Sequence, residues 1–279
     1  MPYPPSRPRF PVVSVIIAVL TGVAAIVAVV VVGPKLSPTV DGTPVAEATR
    51  PAHHSSTTAS TPSTPADTGA LPPFNPPADL GANCTYPAIA DPTSRPAKPP
   101  RSGKVPTEPA QVSASVMTDQ GPIGLVLDNG KSPCTVNSFA SLAQQGFFDK
   151  TSCHRLTTDP ALSVLQCGDP KGDGTGGPGY EFADEYPTNQ FPAGSDTLSK
   201  PVVYPRGTLA MANAGPGTNG SQFFLVYKDS QLPPAYTVFG TIDPQGLATV
   251  DKIAAAGTAD GGTDGQPRTP VNITYIRLD

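Results

Sequence analysis

Tryptophan is absent from the 279 residues, histidine occurs three times and only 14% of the side chains are charged. The shortage of histidine excludes most. His154 is the one imidazole after residue 54, so any Ser-His-Asp or Cys-His catalyst in the C-terminal part would need it as base. Its position between Cys153 and Arg155 reads as mid-strand, facing away from Arg155, and a buried imidazole bonded to backbone is the ordinary reading there. C-x-x-C pairs are also missing, which removes the common zinc arrangements. Asp169 and Asp173 share a loop without the remaining oxygen ligands of a calcium site. Gly172-x-Gly174-x-x-Gly177 neither opens a helix nor belongs to a βαβ unit, so it is read as a loop and not as a dinucleotide site. No metal and no cofactor is expected. Residues 111–279 hold 10 basic and 16 acidic side chains, net -6, against 8 and 6, net +2, before them. A domain of that sign repels phosphate backbones, so nucleic acid is not an expected partner.

Proline, by contrast, is abundant and unevenly spread: of 37, 5 lie in residues 1–11, 17 between Pro34 and Pro109, and 15 in the remainder. Between the first two groups, residues 12–33 carry no charge, and Val12 to Val32 would span about 31 Å as a helix, the thickness of a bilayer's hydrocarbon. This predicts a short cytoplasmic tail over 1–11 and a single membrane-spanning signal anchor over 12–33. Arg7 and Arg9 precede the span and Lys35 follows it, which directs the N-terminus to the cytoplasm and the rest outside, into the cell envelope. Residues 34–110, rich in Pro, Ser, Thr and Ala, have too few large apolar side chains to offset the entropy of ordering, and predict a disordered tether. The same reasoning treats Arg95, Lys98, Arg101 and Lys104 as solvated linker charges.

From residue 111 the pattern changes. Alternation over 112–116, a turn at Asp119-Gln120-Gly121 and a return over 123–127 predict a hairpin. Ser132-Pro133 opens a helix with Val136, Phe139, Leu142 and Ala143 on one face and Gly146 as its stop. Strands are predicted at 153–157, 163–167, 208–212, 222–226, 237–240 and 271–278, with a second helix over 247–256. Many short strands and two helices predict a mainly β barrel or sandwich. Cys84, Cys134, Cys153 and Cys167 all fall on the presumed outside, where disulfides persist. If Arg155 and Gln166 share a face, alternation sets Cys153 and Cys167 on opposite faces, which counts against joining them. Cys84–Cys134 with Cys153–Cys167, or a swap of these, stay open.

Two segments concentrate chemistry: CHRL over 153–156 with LQCGD over 165–169, and GTLAMANAGPGTNGSQFF over 207–224. With Gly174-Thr-Gly-Gly177, Phe182-x-x-Glu185 and Tyr236-Thr-Val-Phe-Gly240, in that order and spacing, residues 111–279 resemble the cyclophilins, in the arrangement of the membrane-anchored B-type peptidyl-prolyl isomerases of bacteria. The resemblance implies a closed eight-stranded antiparallel barrel capped by two helices, with catalysis in an outer groove. It gives Arg155 the catalytic role. Gln166 and Asn213 hold substrate backbone, Gln222 supports the arginine, and Met211, Ala212, Phe224, Leu232 and Tyr236 line the groove with Val164. Phe223, facing the other way, is expected in the core. The substrates implied are proline-containing polypeptides of exported or envelope proteins. A docking or chaperone module that kept the groove without turnover is the alternative.

The sequence also departs from the family. Ten residues separate Arg155 from Gln166, more than the family usually carries, so the pocket wall falls to Leu162 or Ser163. Gln231 stands where many members have the tryptophan important for cyclosporin, which predicts cyclosporin-like ligands bound with reduced affinity. Tyr236 replaces a histidine.

Overall fold

The computed structural model describes residues 69–89, 95 and 97–279. The expected membrane helix over 12–33 and the tether's residues 34–68 lie outside them. Among the described residues no helix is long and apolar enough to cross a membrane.

Alternation builds the hairpin as expected. Strands β1 (Val112–Thr118) and β2 (Gly121–Leu127) pair in register, Ala114 opposite Leu125 and Val116 opposite Ile123. These four side chains form the buried face. Thr118 closes the turn, its hydroxyl donating to Gly121 O at 2.6 Å and accepting from Gln120 N–H at 3.1 Å. Helix α1 (Pro133–Gln144) buries Val136, Phe139, Leu142 and Ala143. Its first turn is capped from a distance by Glu185, which accepts from Cys134 N–H at 3.0 Å, Thr135 N–H at 2.8 Å and the Thr135 hydroxyl at 2.7 Å. Helix α2 (Pro244–Ala255) starts earlier than its apolar spacing predicts, because Asp243 caps it by accepting from Gly246 N–H and Pro244 occupies the first turn.

The remaining strands are β3 (Thr151–Ser152), β4 (Arg155–Thr157), β5 (Val164–Cys167), β6 (Val202–Tyr204), β7 (Thr208–Met211), β8 (Phe223–Val226), β9 (Ser230–Leu232), β10 (Val238–Ile242), β11 (Asp264–Gly265) and β12 (Asn272–Leu278). Ten of the twelve form one curled antiparallel sheet in the order β11-β4-β5-β8-β7-β10-β2-β1-β12-β3, and β6 pairs with β9 separately. Among the described residues the architecture is mainly β with two α-helices. Where the resemblance implies eight strands closed on themselves, the hydrogen-bonded ladder has ten, with β11 and β3 at its ends. β3, β6, β9 and β11 are two or three residues long, too short to leave an alternation signal.

Strict alternation divides the apolar side chains into two groups. Inward, Leu209, Met211, Phe223 and Leu225 join Phe139, Phe148 and Phe239 in the main core. Outward, Ala210, Phe224 and Val226 join Val164, Tyr186, Val202, Tyr204 and Val238 in a second cluster on the sheet's other face.

The expectation of a disordered tether does not hold over residues 69–89 and 97–110. Cys84, Tyr86 and Val105 are buried in the main core, and Leu71 and Phe74 pack on the second cluster. The Tyr86 hydroxyl donates to Cys134 O at 2.8 Å and that of Tyr186 to Pro72 O at 2.7 Å. Arg95 is no solvated linker charge, since its Nη1 donates to Phe147 O at 2.6 Å and Asp149 O at 2.8 Å. Composition misled because a few aromatic anchors and the Cys84–Cys134 disulfide supply what a conventional apolar pattern would have signalled.

The second disulfide joins Cys153 to Cys167, the pairing that alternation counted against. Cys153 and His154 lie before β4 and outside any strand, so the alternation that separates faces within a strand does not reach them. The two bridges accordingly tie the N-terminal segment to the start of α1, and the residues just before β4 to the end of β5.

Candidate active site

The site starts from register. Arg155 on β4 sits opposite Gln166 on β5, Gln166 opposite Phe224 on β8, and Phe224 opposite Ala210 on β7. Directly opposed residues share a face, so a cation, an amide, an aromatic ring and a small residue form one row across four strands. Above the row lies a cavity of about 260 Å³ lined by Arg155, Leu162, Val164, Gln166, Ala212, Asn213, Phe224, Leu232 and Tyr236. Val164 and Phe224 are buried at its floor, and the rings of Phe224 and Tyr236 meet edge to face at 5.8 Å.

The polar side is a relay of hydrogen bonds. Arg155 donates from Nε to Asp264 Oδ1 at 2.8 Å, from Nη2 to Asp264 Oδ2 at 2.7 Å, and from Nη1 to Gln166 Oε1 at 3.2 Å. A guanidinium has five N–H groups; three are engaged, leaving one on each terminal nitrogen. The hydrogen bond and charge of Asp264 hold Arg155 above its ordinary pKa, so it is a permanent cation, while Arg155 holds the Asp264 carboxyl below its own. Gln166 Nε2 donates to Gln222 Oε1 at 2.9 Å, and Gln222 Nε2 donates to Gly174 O at 2.9 Å and Gly176 O at 3.0 Å. Gln222 thus steadies Gln166 and the loop, reaching the arginine only through Gln166. Asn213 Nδ2 donates to Ala235 O at 2.8 Å, and its Oδ1 accepts from Gly215 N–H at 3.2 Å. A second cavity of about 320 Å³ adjoins the first across Gln166, Ala212 and Asn213; Gln222 and Ile89 are among its walls.

Eight of the ten residues expected at the site therefore surround one cavity, and Gln222 lines its neighbour. Met211 does not belong to either: it points inward from β7, is 2% exposed and packs in the main core, because the outward positions of that strand are Ala210 and, just beyond it, Ala212. The longer β4–β5 connection resolves the pocket wall in favour of Leu162. A turn in which Ala161 N–H donates to Asp159 Oδ1 at 2.8 Å and Leu162 N–H to Asp159 O at 3.0 Å sets Leu162 on the cavity. Ser163 is turned inward and buried, its hydroxyl on Asp159 O at 2.9 Å. Sequence reading missed Asp264, which lies 109 residues from Arg155 in a glycine-rich stretch that carries no motif.

His154 is half-buried and not bonded to backbone: both ring nitrogens are buried, and neither has a hydrogen-bond partner among the described residues. It serves no nucleophile. Burial, assisted by the Arg155 charge, lowers its pKa against the opposing pull of Asp169 and Asp173. An imidazole held neutral in the fold stabilises it fully above the unfolded-state value of about 6.5, and that contribution is lost as pH falls through this value. We expect the melting temperature to decline below about pH 6.5 and His154→Leu to flatten that limb; identical profiles by calorimetry would contradict the assignment.

The family model described as cyclophilin type peptidyl-prolyl cis-trans isomerase/CLD matches residues 113–278. A Mycobacterium tuberculosis protein named probable peptidyl-prolyl cis-trans isomerase B is 69% identical over 209 residues, 75% of this chain and 68% of the relative. Its Mycobacterium leprae counterpart is 68% identical over 209 residues, 75% and 71% of the two chains. A crystal structure of a Cryptosporidium parvum cyclophilin type isomerase in the presence of the dipeptide Ala-Pro aligns with 60% of this chain and 98% of that one, at 27% identity and a TM-score of 0.47. With the family model covering more than half its length, this chain belongs to the cyclophilin-type peptidyl-prolyl cis-trans isomerases.

Proposed function

We infer that the 260 Å³ cavity receives the ring of a proline residue and that Arg155 acts on its peptide nitrogen. The observation that carries this is the row Arg155–Gln166–Phe224 on one face, which sets a permanent cation beside an apolar, proline-sized hollow. Rotation about the peptide bond is resisted by roughly 18–20 kcal/mol because the nitrogen lone pair is delocalised into the carbonyl. In the twisted state that lone pair is freed and accepts a hydrogen bond, so a donor aimed at it stabilises the transition state over either planar isomer. The two unengaged N–H groups of Arg155 supply the donor. Phe224, Val164, Leu162 and Leu232 grip the ring, while Gln166 and Asn213 hold flanking backbone so that only one side turns. No nucleophile or proton relay enters the scheme.

The finer reading assigns the activity to the folding of exported or envelope proteins, in a chain anchored once in the cell membrane with its N-terminus in the cytoplasm. The uncharged run over 12–33, the flanking arginines and four cysteines that form two disulfides support it. It is tested by X-Pro turnover of the whole chain in vesicles, with protease added from the outer side: removal of the domain and its activity is the expected result, and full protection overturns the orientation. Cyclosporin is expected to bind more weakly than to members with tryptophan at the position of Gln231, which is exposed beside the cavity wall. Equally tight binding by calorimetry would refute this.

A further inference from the structure

Asp264 has no part in the scheme so far, yet it takes two of the five donors of the catalytic guanidinium. We propose that Asp264 is a positioning residue for isomerisation: it fixes the rotation of the Arg155 guanidinium so that the unengaged N–H groups face the cavity. The inference rests on the isomerase reading above.

Three observations carry it. The contact is side-on and bidentate, through Nε and Nη2, and this defines the plane and rotation of the guanidinium more tightly than a single bond would. The opposite edge, at Nη1, meets Gln166, so the group is held from two sides of the cavity rim. Asp264 is itself held. β11 pairs with β4, Asp264 opposite Thr157 and Gly265 opposite Leu156, and Thr158 N–H donates to Thr263 O at 2.8 Å. The loop that presents it is closed by internal bonds: the buried Thr258 hydroxyl meets Asp260 Oδ1 at 2.9 Å and Gly262 O at 2.7 Å. Arg268 N–H further donates to Gly257 O at 2.8 Å.

A rival role, global stability, is the weaker reading on exposure. The Arg155 and Asp264 side chains are 38% and 53% exposed, and pairs at that exposure contribute little to folding. What a solvated arginine lacks is orientation, because its long side chain samples many rotamers and the amide nitrogen of a twisting X-Pro bond presents one direction of approach. A carboxylate anchored in a ladder supplies that orientation before substrate arrives.

The test compares Asp264→Asn and Asp264→Glu with the unmodified chain, in kcat and KM for an X-Pro peptide, alone and combined with Arg155→Ala. Asp264→Asn is expected to lower kcat about tenfold, with KM changed less than about twofold and the melting temperature nearly unchanged. Asp264→Glu restores most of the rate. In the Arg155→Ala background Asp264→Asn has no further effect, since the group it orients is gone. An independent signature is the Arg155 Nε–H resonance in 1H–15N spectra, sharp in the native chain and exchange-broadened in Asp264→Asn. Native kcat in Asp264→Asn, or an equal loss with and without Arg155, overturns the positioning role alone. A native chain without X-Pro turnover, or Arg155→Ala with undiminished turnover, overturns the isomerase reading and the positioning role together.

Discussion

Arg155→Ala is expected to lower kcat/KM for X-Pro isomerisation by about 10²–10³-fold, the usual loss when one preorganised donor to a developing charge is removed. The protein should remain folded, because Arg155 is partly exposed and its partners are Asp264 and Gln166 at the rim. Arg155→Lys is the informative companion. An ammonium keeps the charge but lacks the planar fork, so it cannot engage both Asp264 oxygens, hold Gln166 and still point a donor into the cavity. We expect Lys to recover less than a tenth of the lost rate constant in an NMR exchange assay. Substantial rescue by Lys would show that charge alone does the work and would remove geometry from the mechanism.

The second large effect separates two neighbours. Phe223 is fully buried and packs edge to face on Phe139 at 5.5 Å and Phe148 at 5.8 Å between ring centroids. Phe223→Ala leaves a closed void in the main core and is expected to cost about 3–5 kcal/mol of stability in denaturant unfolding. Phe224 points the other way, onto the cavity. Phe224→Ala enlarges a hollow already open to solvent, so the penalty of a closed void does not apply. Its loss should fall on substrate, as a KM raised roughly tenfold or more for want of apolar surface against the ring. Equal unfolding free energies for the two variants would contradict the division into inner and outer faces.

Much of this site was legible in the sequence, and the exceptions share a cause. The β1–β2 hairpin, the face of α1 and the opposite orientations of Phe223 and Phe224 all follow from period and alternation, which act over a few residues. The matched blocks brought Arg155, Gln166, Asn213 and Phe224 to one place. What failed depended on where a strand begins or on a partner far away. Met211 was placed on the groove although Ala210, one residue earlier, fixes it inward. The Cys153–Cys167 bond is disfavoured by alternation only because the strand is extended two residues ahead of where β4 begins. Asp264 pairs with a residue more than a hundred positions distant, and Tyr86, Val105 and Arg95 fasten a proline-rich segment by contacts that composition does not encode. Glu185 shows the same limit, since a helix whose own N-cap residue makes no side-chain capping bond borrows its cap from a motif 50 residues downstream.

The row Arg155–Gln166–Phe224–Ala210 is defined by ladder register, and a slip of one residue in any of its four strands would turn a member to the other face. Catalytic geometry is thereby inherited as a block, while the turn over Asp159–Leu162 stands outside the ladder and contributes only a wall. A change of length in that turn would therefore alter which substrates fit and leave the rate-enhancing groups in step, so recognition can be altered there without disturbing the chemistry.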